Sequence, residues 1–162
     1  MPLVSCARIA RSCKKMPSRR KLFPTPDDAE TAFYEAFERA DLAAMMAVWA
    51  ESDDIVCIHP TGPRLQGFEA VRESWVQIFS GGSQLRVRTI DVRGFDGQSV
   101  AVRSVVEVLS AAGEQGPTQS VLATNVYELG DAGWRMVIHH ATPMPEPAGA
   151  ADEPPPSTHT LH

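Results

Sequence analysis

The sequence predicts an α+β domain with helices packed on one face of a mainly antiparallel sheet. Apolar residues recur at helical spacing through the first half of the chain, and Val-rich runs broken by Gly and Asp turns fill the second. Helices followed by a meander of strands leave the helices on one side of the sheet. A length of 162 residues suits one domain.

The first helix starts after Pro26, where Asp27, Asp28 and Glu30 crowd the positive end of the helix dipole. Phe33, Phe37 and Ala40 carry its apolar stripe, filled out by Ala29, Tyr34 and Ala36. Asp41 caps a second helix running from Leu42 to Trp49, with Met45, Met46 and Trp49 on one side. A short strand at 54–59 leads into a turn at Pro60, Gly62 and Pro63. Gly67 opens a third helix with Val71, Trp75, Ile78 and Phe79 on its apolar face, and Gly81-Gly82 ends it. Strands are predicted at Leu85–Arg93, stopped by Gly94, and at Ser99–Ser110. After a loop at 111–118, Gln119–Leu129 and Trp134–Ala141 form a hairpin around Gly130-Asp131-Ala132-Gly133.

The net charge of −5 conceals an asymmetry. Seven basic residues precede Leu22 with no acid among them, which leaves eight of the 15 against 20 acidic residues, a net −12. An acidic body does not grip phosphates through clustered Lys and Arg, so no nucleic-acid partner is expected. The basic arm (1–26) and the Pro-rich tail (143–162) bury too little surface to offset ordering entropy. Both are expected to be disordered, leaving 27–142 as the folded domain. No run approaches the roughly 20 apolar residues of a membrane span. No signal-peptide stretch is read, so a cytoplasmic location without membrane partners is expected. Cys6 and Cys13 match no zinc spacing, and Cys57 in Ile55-Val56-Cys57-Ile58 reads as a buried small hydrophobe.

Five stretches together resemble the nuclear-transport-factor-like superfamily. They are the helix pair ending near Trp49, Val56-Cys57-Ile58-His59-Pro60, Leu65-Gln66-Gly67, Thr124-Asn125-Val126-Tyr127, and Gly133-Trp134-Arg135-Met136-Val137-Ile138-His139-His140. That superfamily includes SnoaL-like polyketide cyclases, ketosteroid isomerases and the association domain of calcium/calmodulin-dependent protein kinase. The likeness covers about residues 27–145 and is greatest to the association domain and its bacterial stand-alone relatives. It implies a cone-shaped, cystatin-like fold with helices on the concave face of the sheet. It also implies a homodimer paired through the outer sheet face, with a pocket inside each cone. It implies no single reaction. The expected function is small-molecule binding in a mostly apolar pocket. The alternatives are an acid–base enzyme of isomerase, cyclase or dehydratase type, and an association domain.

The hairpin fixes which side chains share a face. With Asp131-Ala132 at the turn, Glu128 faces Arg135, a favourable cross-strand pair, and Asn125 faces Ile138. Alternation then puts Asn125, Tyr127, Trp134, Met136, Ile138 and His140 on one bulky face, the composition of a pocket wall. His139 falls on the other face; a turn one residue longer exchanges the two histidines. His140 is the leading acid or base, since imidazole titrates near neutrality. Tyr127 or Asn125 is placed to stabilise an oxyanion. His59 ends the first strand, which the resemblance puts near the pocket mouth.

Arg103 and Glu107, four residues apart on the long strand, share a face. If it is the pocket face, Arg103 holds a carboxylate and Glu107 is a base; if it is the outer face, they form a solvated ion pair. The association domain's arginine-lined pocket has Asn125 at one arginine position here, which speaks against an anionic ligand unless Arg103 substitutes. Trp49, Trp75 and Trp134 are the candidate apolar contacts, with the core the first claim on the two helix tryptophans. The acidic pair of the isomerases and the His–Asp pair of the cyclases have no full match. Adjacent His139 and His140 point to opposite faces of a strand, so no metal is expected, and no nucleotide motif or cofactor is read.

Overall fold

The computed structural model of the chain describes residues 21–81, 85–111 and 119–144. The elements are α1 (Pro26–Glu38), α2 (Leu42–Val48), β1 (Val56–Ile58), β2 (Arg64–Gln66), α3 (Phe68–Ser80), β3 (Leu85–Asp96), β4 (Val100–Ala111), β5 (Gln119–Gly130) and β6 (Gly133–Pro143). They form one six-stranded sheet in the order β2-β1-β6-β5-β4-β3, antiparallel except for the parallel β1–β6 pair. The expected α+β class is what the chain adopts. Cys6, Cys13, Gly82, the arm before Lys21, the loop after Ala111 and the tail beyond Met144 lie outside the described residues.

Local chemistry accounts for the helix starts. Thr25 closes a capping box with Asp28 and Pro26 occupies the first turn of α1, while the Asp41 side chain caps α2. Gly67, at φ +87, turns the chain into α3. The folded part begins earlier than the sequence indicates. Phe23, read as part of the arm, is 1% exposed, and its carbonyl accepts from Trp134 N at 2.9 Å. Gly133 makes this approach possible, because a Cβ there would collide with the Phe23 carbonyl. Two further differences are the three-residue strand β2, too short to show a pattern, and β3, which runs through Gly94 to Asp96. A register irregularity between Ile90 and Arg93 bends that edge strand.

The hairpin is as expected next to its turn: Leu129 faces Trp134, Glu128 faces Arg135 and Tyr127 faces Met136. One step further the register shifts, and Val126 faces Ile138. Val137 is the extra residue of a β-bulge. The shift falls where β6 changes partners on its other edge. Met136 there bridges Trp49 and accepts from Ala50 N, whereas Ile138 and His139 pair with Val56 and Cys57 of β1. Beyond the bulge every side chain of β6 changes face.

Candidate functional site

Helix α1 lays Glu30, Phe33, Tyr34 and Phe37 over the concave face of the sheet, and α3 closes one side with Trp75 and Ile78. Between them lies a cavity of about 240 Å³. Phe33, Phe37, Trp75, Val87 and Leu109 give it apolar walls, while Tyr34, His59, Glu107 and His139 supply its polar groups. The rings meet edge to face: Trp75 lies 5.7 Å from Phe33, 5.4 Å from Phe37 and 5.0 Å from His59, centroid to centroid.

The bulge decides which histidine enters. His139 is 3% exposed and lines the cavity. His140, the leading candidate from the sequence, is exposed on the outer face, and Ile138 lies outside with it. The uniform alternation assumed from the sequence counted no extra residue at Val137, so the imidazole it sent inward is the wrong one of the pair.

A hydrogen-bonded chain runs from this histidine to a carboxylate. His139 Nδ1 lies 2.7 Å from Asn125 Oδ1, Asn125 Nδ2 donates to the Tyr34 hydroxyl at 3.0 Å, and that hydroxyl donates to Glu107 Oε1 at 2.9 Å. Burial raises the nearby Glu30 carboxyl above its ordinary range, opposed by Asn125 and Arg103. The polarity is fixed by counting protons. Tyr34 spends its proton on Glu107, so its oxygen accepts from the amide nitrogen. The amide oxygen then faces His139, whose Nδ1 must donate. His139 Nε2 is left without a proton.

His59 is fixed in the same way. The Ser74 hydroxyl donates to Val71 O at 2.7 Å, so it accepts from His59 Nε2 at 3.0 Å, which leaves Nδ1 as that ring's acceptor. Cys57 Sγ stands 3.6 Å from Nε2 and 4.0 Å from Nδ1, and burial pushes its thiol up to about 12.

Burial sets the ionisation of the site. It pushes Glu107 up to about 7, helped by the charge of Glu30 and opposed by the Tyr34 hydrogen bond. It drives His139 down to about 3, with His59 and His140 adding to the shift, and it lowers His59 as well. Burial, then Glu107, holds the Tyr34 hydroxyl far above the ordinary phenol range. The cavity therefore holds two neutral imidazoles beside a carboxyl that titrates near neutrality, a set suited to moving a proton.

Arg103 and Glu107 both point inward, but only Glu107 reaches the cavity. Arg103 is bound by Asp27 at 2.7 Å and Asp96 at 2.6 Å, with Glu30 at 3.8 Å. Burial opposes its charge, yet those hydrogen bonds and carboxylates raise its pKa. It ties the start of α1 to β3 and β4, and it does not replace the missing pocket arginine. Tyr127 is wholly buried with its hydroxyl unpartnered among the described residues, and it does not line the cavity, so the oxyanion role read for it has no place here. Asn125 sits one bond behind the cavity wall. Trp134 packs in the core near Phe23, and Trp49 lines a different groove. That groove, about 690 Å³ between α2 and the β5–β6 turn, is larger. Of its charged lining residues Lys21, Glu51 and Asp131 are exposed and Arg135 is half-buried, whereas the smaller cavity holds the buried titratable groups Glu107 and His139. Tyr34, Glu30 and His139 are the residues that sequence reasoning missed. The spacing 30, 34, 37 on one helix face was the available signal for the first two.

The family model for the SnoaL-like domain matches residues 27–146. A solved protein of Thiobacillus denitrificans, provisionally described as a calcium/calmodulin-dependent protein kinase type II association domain, is 42% identical. It superimposes with a TM-score of 0.73 over 77% of this chain and 99% of its own. A protein of the NTF2-like family from Streptomyces avermitilis, provisionally described as a dehydratase, is 30% identical with a TM-score of 0.68. That match covers 75% of this chain and 100% of the other. F-box protein SKIP8 of Arabidopsis thaliana is 31% identical over 117 residues, 70% of this chain. The match spans 47%, about half, of that curated relative. Among the described residues no helix is long and apolar enough to cross a membrane.

Proposed function

This chain belongs to the SnoaL-like domain family, and we propose that it binds a small, mainly apolar molecule in the cavity and transfers a proton on it. The supporting observation is the buried chain Glu107–Tyr34–Asn125–His139, which holds an acid–base pair of unlike ionisation at the wall of an apolar cavity. Glu107 gives or takes the proton, because its pKa near 7 suits both directions at neutral pH. His139 Nε2 accepts a hydrogen bond from the ligand and orients it. The description of one relative as a dehydratase is in keeping with such chemistry.

We also propose that two copies pair through the outer face of the sheet. Phe95, Val100, Leu122 and Ile138 on that side are 36–68% exposed, a large apolar area for a lone domain. The relative described as an association domain favours this pairing, and a mass beyond the dimer in light scattering would point to ring assembly instead. The test of the cavity reading is a fragment screen by protein NMR on the full chain and on its Glu107→Leu and His139→Phe variants. Hits should shift the amides of Phe33, Trp75 and His139. Hits confined to the groove beside Trp49 would refute the assignment.

A further inference from the structure

The polarity of the cavity narrows the ligand class. Of its four polar lining groups, Tyr34 spends its proton on Glu107, and with Glu107 ionised the other three accept. His139 Nε2 is unprotonated because Nδ1 is bound to Asn125, His59 Nδ1 is unprotonated because Nε2 is bound to Ser74, and Glu107 already receives the Tyr34 proton. Among the described residues no Lys or Arg lines the cavity. Arg103, the nearest cation in the network, is held by Asp27, Asp96 and Glu30. An anion entering would meet a carboxyl and two lone pairs with no cation to offset desolvation. A cation would have to leave water for walls of Phe33, Phe37, Trp75, Val87 and Leu109 to meet a single carboxylate. The volume equals about eight waters at ~30 Å³ each, room for a small molecule.

Building on the small-molecule reading above, we propose that the cavity selects a small, uncharged, mainly apolar compound bearing a hydroxyl group, which donates to His139 Nε2 or Glu107. Asn125 is the positioning residue for this selectivity. Were its amide reversed, His139 would present a donor to the cavity, and carbonyl compounds would be preferred.

The experiment uses five probes of nearly one shape, measured by NMR titration of the full chain at pH 8: benzyl alcohol, benzaldehyde, benzoate, benzylammonium and toluene. Benzyl alcohol should bind about tenfold tighter than benzaldehyde, the worth of one hydrogen bond of roughly 1.4 kcal/mol, and benzoate should bind weakest. The preference should vanish in His139→Phe and Glu107→Leu combined, with toluene binding retained. Benzaldehyde or benzoate matching the alcohol, or benzylammonium exceeding it, overturns the proposal. Five equal affinities also overturn it while leaving the cavity reading intact. Failure of all five, toluene included, to shift the cavity amides refutes the cavity reading and the selectivity with it.

Discussion

Oδ1 of Asn125 lies 2.7 Å from Nδ1 of His139, and this contact decides which nitrogen of a fully buried imidazole carries the proton. With Glu107 ionised the Tyr34 proton goes to it, and the amide nitrogen donates to Tyr34, which sets the amide this way round. Imidazole ¹⁵N shifts at pH 8, where Glu107 is ionised, should therefore report His139 as the Nδ1–H form. In Asn125→Asp a carboxylate replaces the amide oxygen, and the His139 pKa should climb from about 3 toward the ordinary histidine range. An Nε2–H form in the parent protein contradicts the derived polarity.

The Glu107 carboxyl predicts a loss of stability on the alkaline side. Its folded pKa is raised from 4.5 to about 7, so folding favours the protonated form. Below pH 4.5 both states hold the proton. As pH rises through 7 the unfolded chain has released it and the folded chain resists, so stability falls across that window. The full loss is about 3 kcal/mol at most, from ~2.5 pH units at 1.36 kcal/mol each. The buried histidines act with the opposite sign, losing stability as pH falls below 6.5. Chemical denaturation of Glu107→Gln against the parent isolates the carboxyl: the variant should gain on the parent between pH 5 and pH 8. A constant difference would show that Glu107 titrates normally.

The two adjacent histidines should differ sharply on truncation. His140→Ala removes an exposed side chain and should change stability by less than about 0.5 kcal/mol. His139→Ala strips Asn125 of its donor and opens space beside Phe33, and should cost about 1–3 kcal/mol. The reverse order of effects in denaturation curves would mean that β6 has no bulge at Val137.

The outer-face pairing is tested by charge. Leu122→Lys places an ammonium on an exposed position of β5 remote from the cavity. Light scattering should give a dimer for the parent and half that mass for the variant, with the same circular dichroism. A parent that is already monomeric removes the pairing from the account.

Much of this architecture is legible in the sequence. Pro26 and the acids after it announce α1, the Asp41 cap announces α2, Val-rich runs announce the strands, and the Asp131-Ala132 turn fixes the hairpin as far as Tyr127 and Met136. The site was only half legible. Arg103 and Glu107 sharing a strand face, and His59 at a strand end, follow from period-two geometry and short-range turns. The bulge does not, because it depends on what pairs with the far edge of β6: Ala50 reaches Met136 there, and β1 takes over two residues later. Tyr34 read as core since a helix stripe of Phe, Tyr and Ala looks the same whether or not a carboxylate waits opposite. The 73-residue separation of Tyr34 and Glu107 leaves no local trace in the sequence.

The most direct test is a ¹³C NMR titration of the Glu107 side-chain carboxyl in the full chain. A midpoint about pH 7 is expected, carried by burial beside Tyr34 and Glu30. A midpoint in the ordinary glutamate range near 4.3 would place Glu107 in water, and with it the acid–base role assigned to the cavity would be lost.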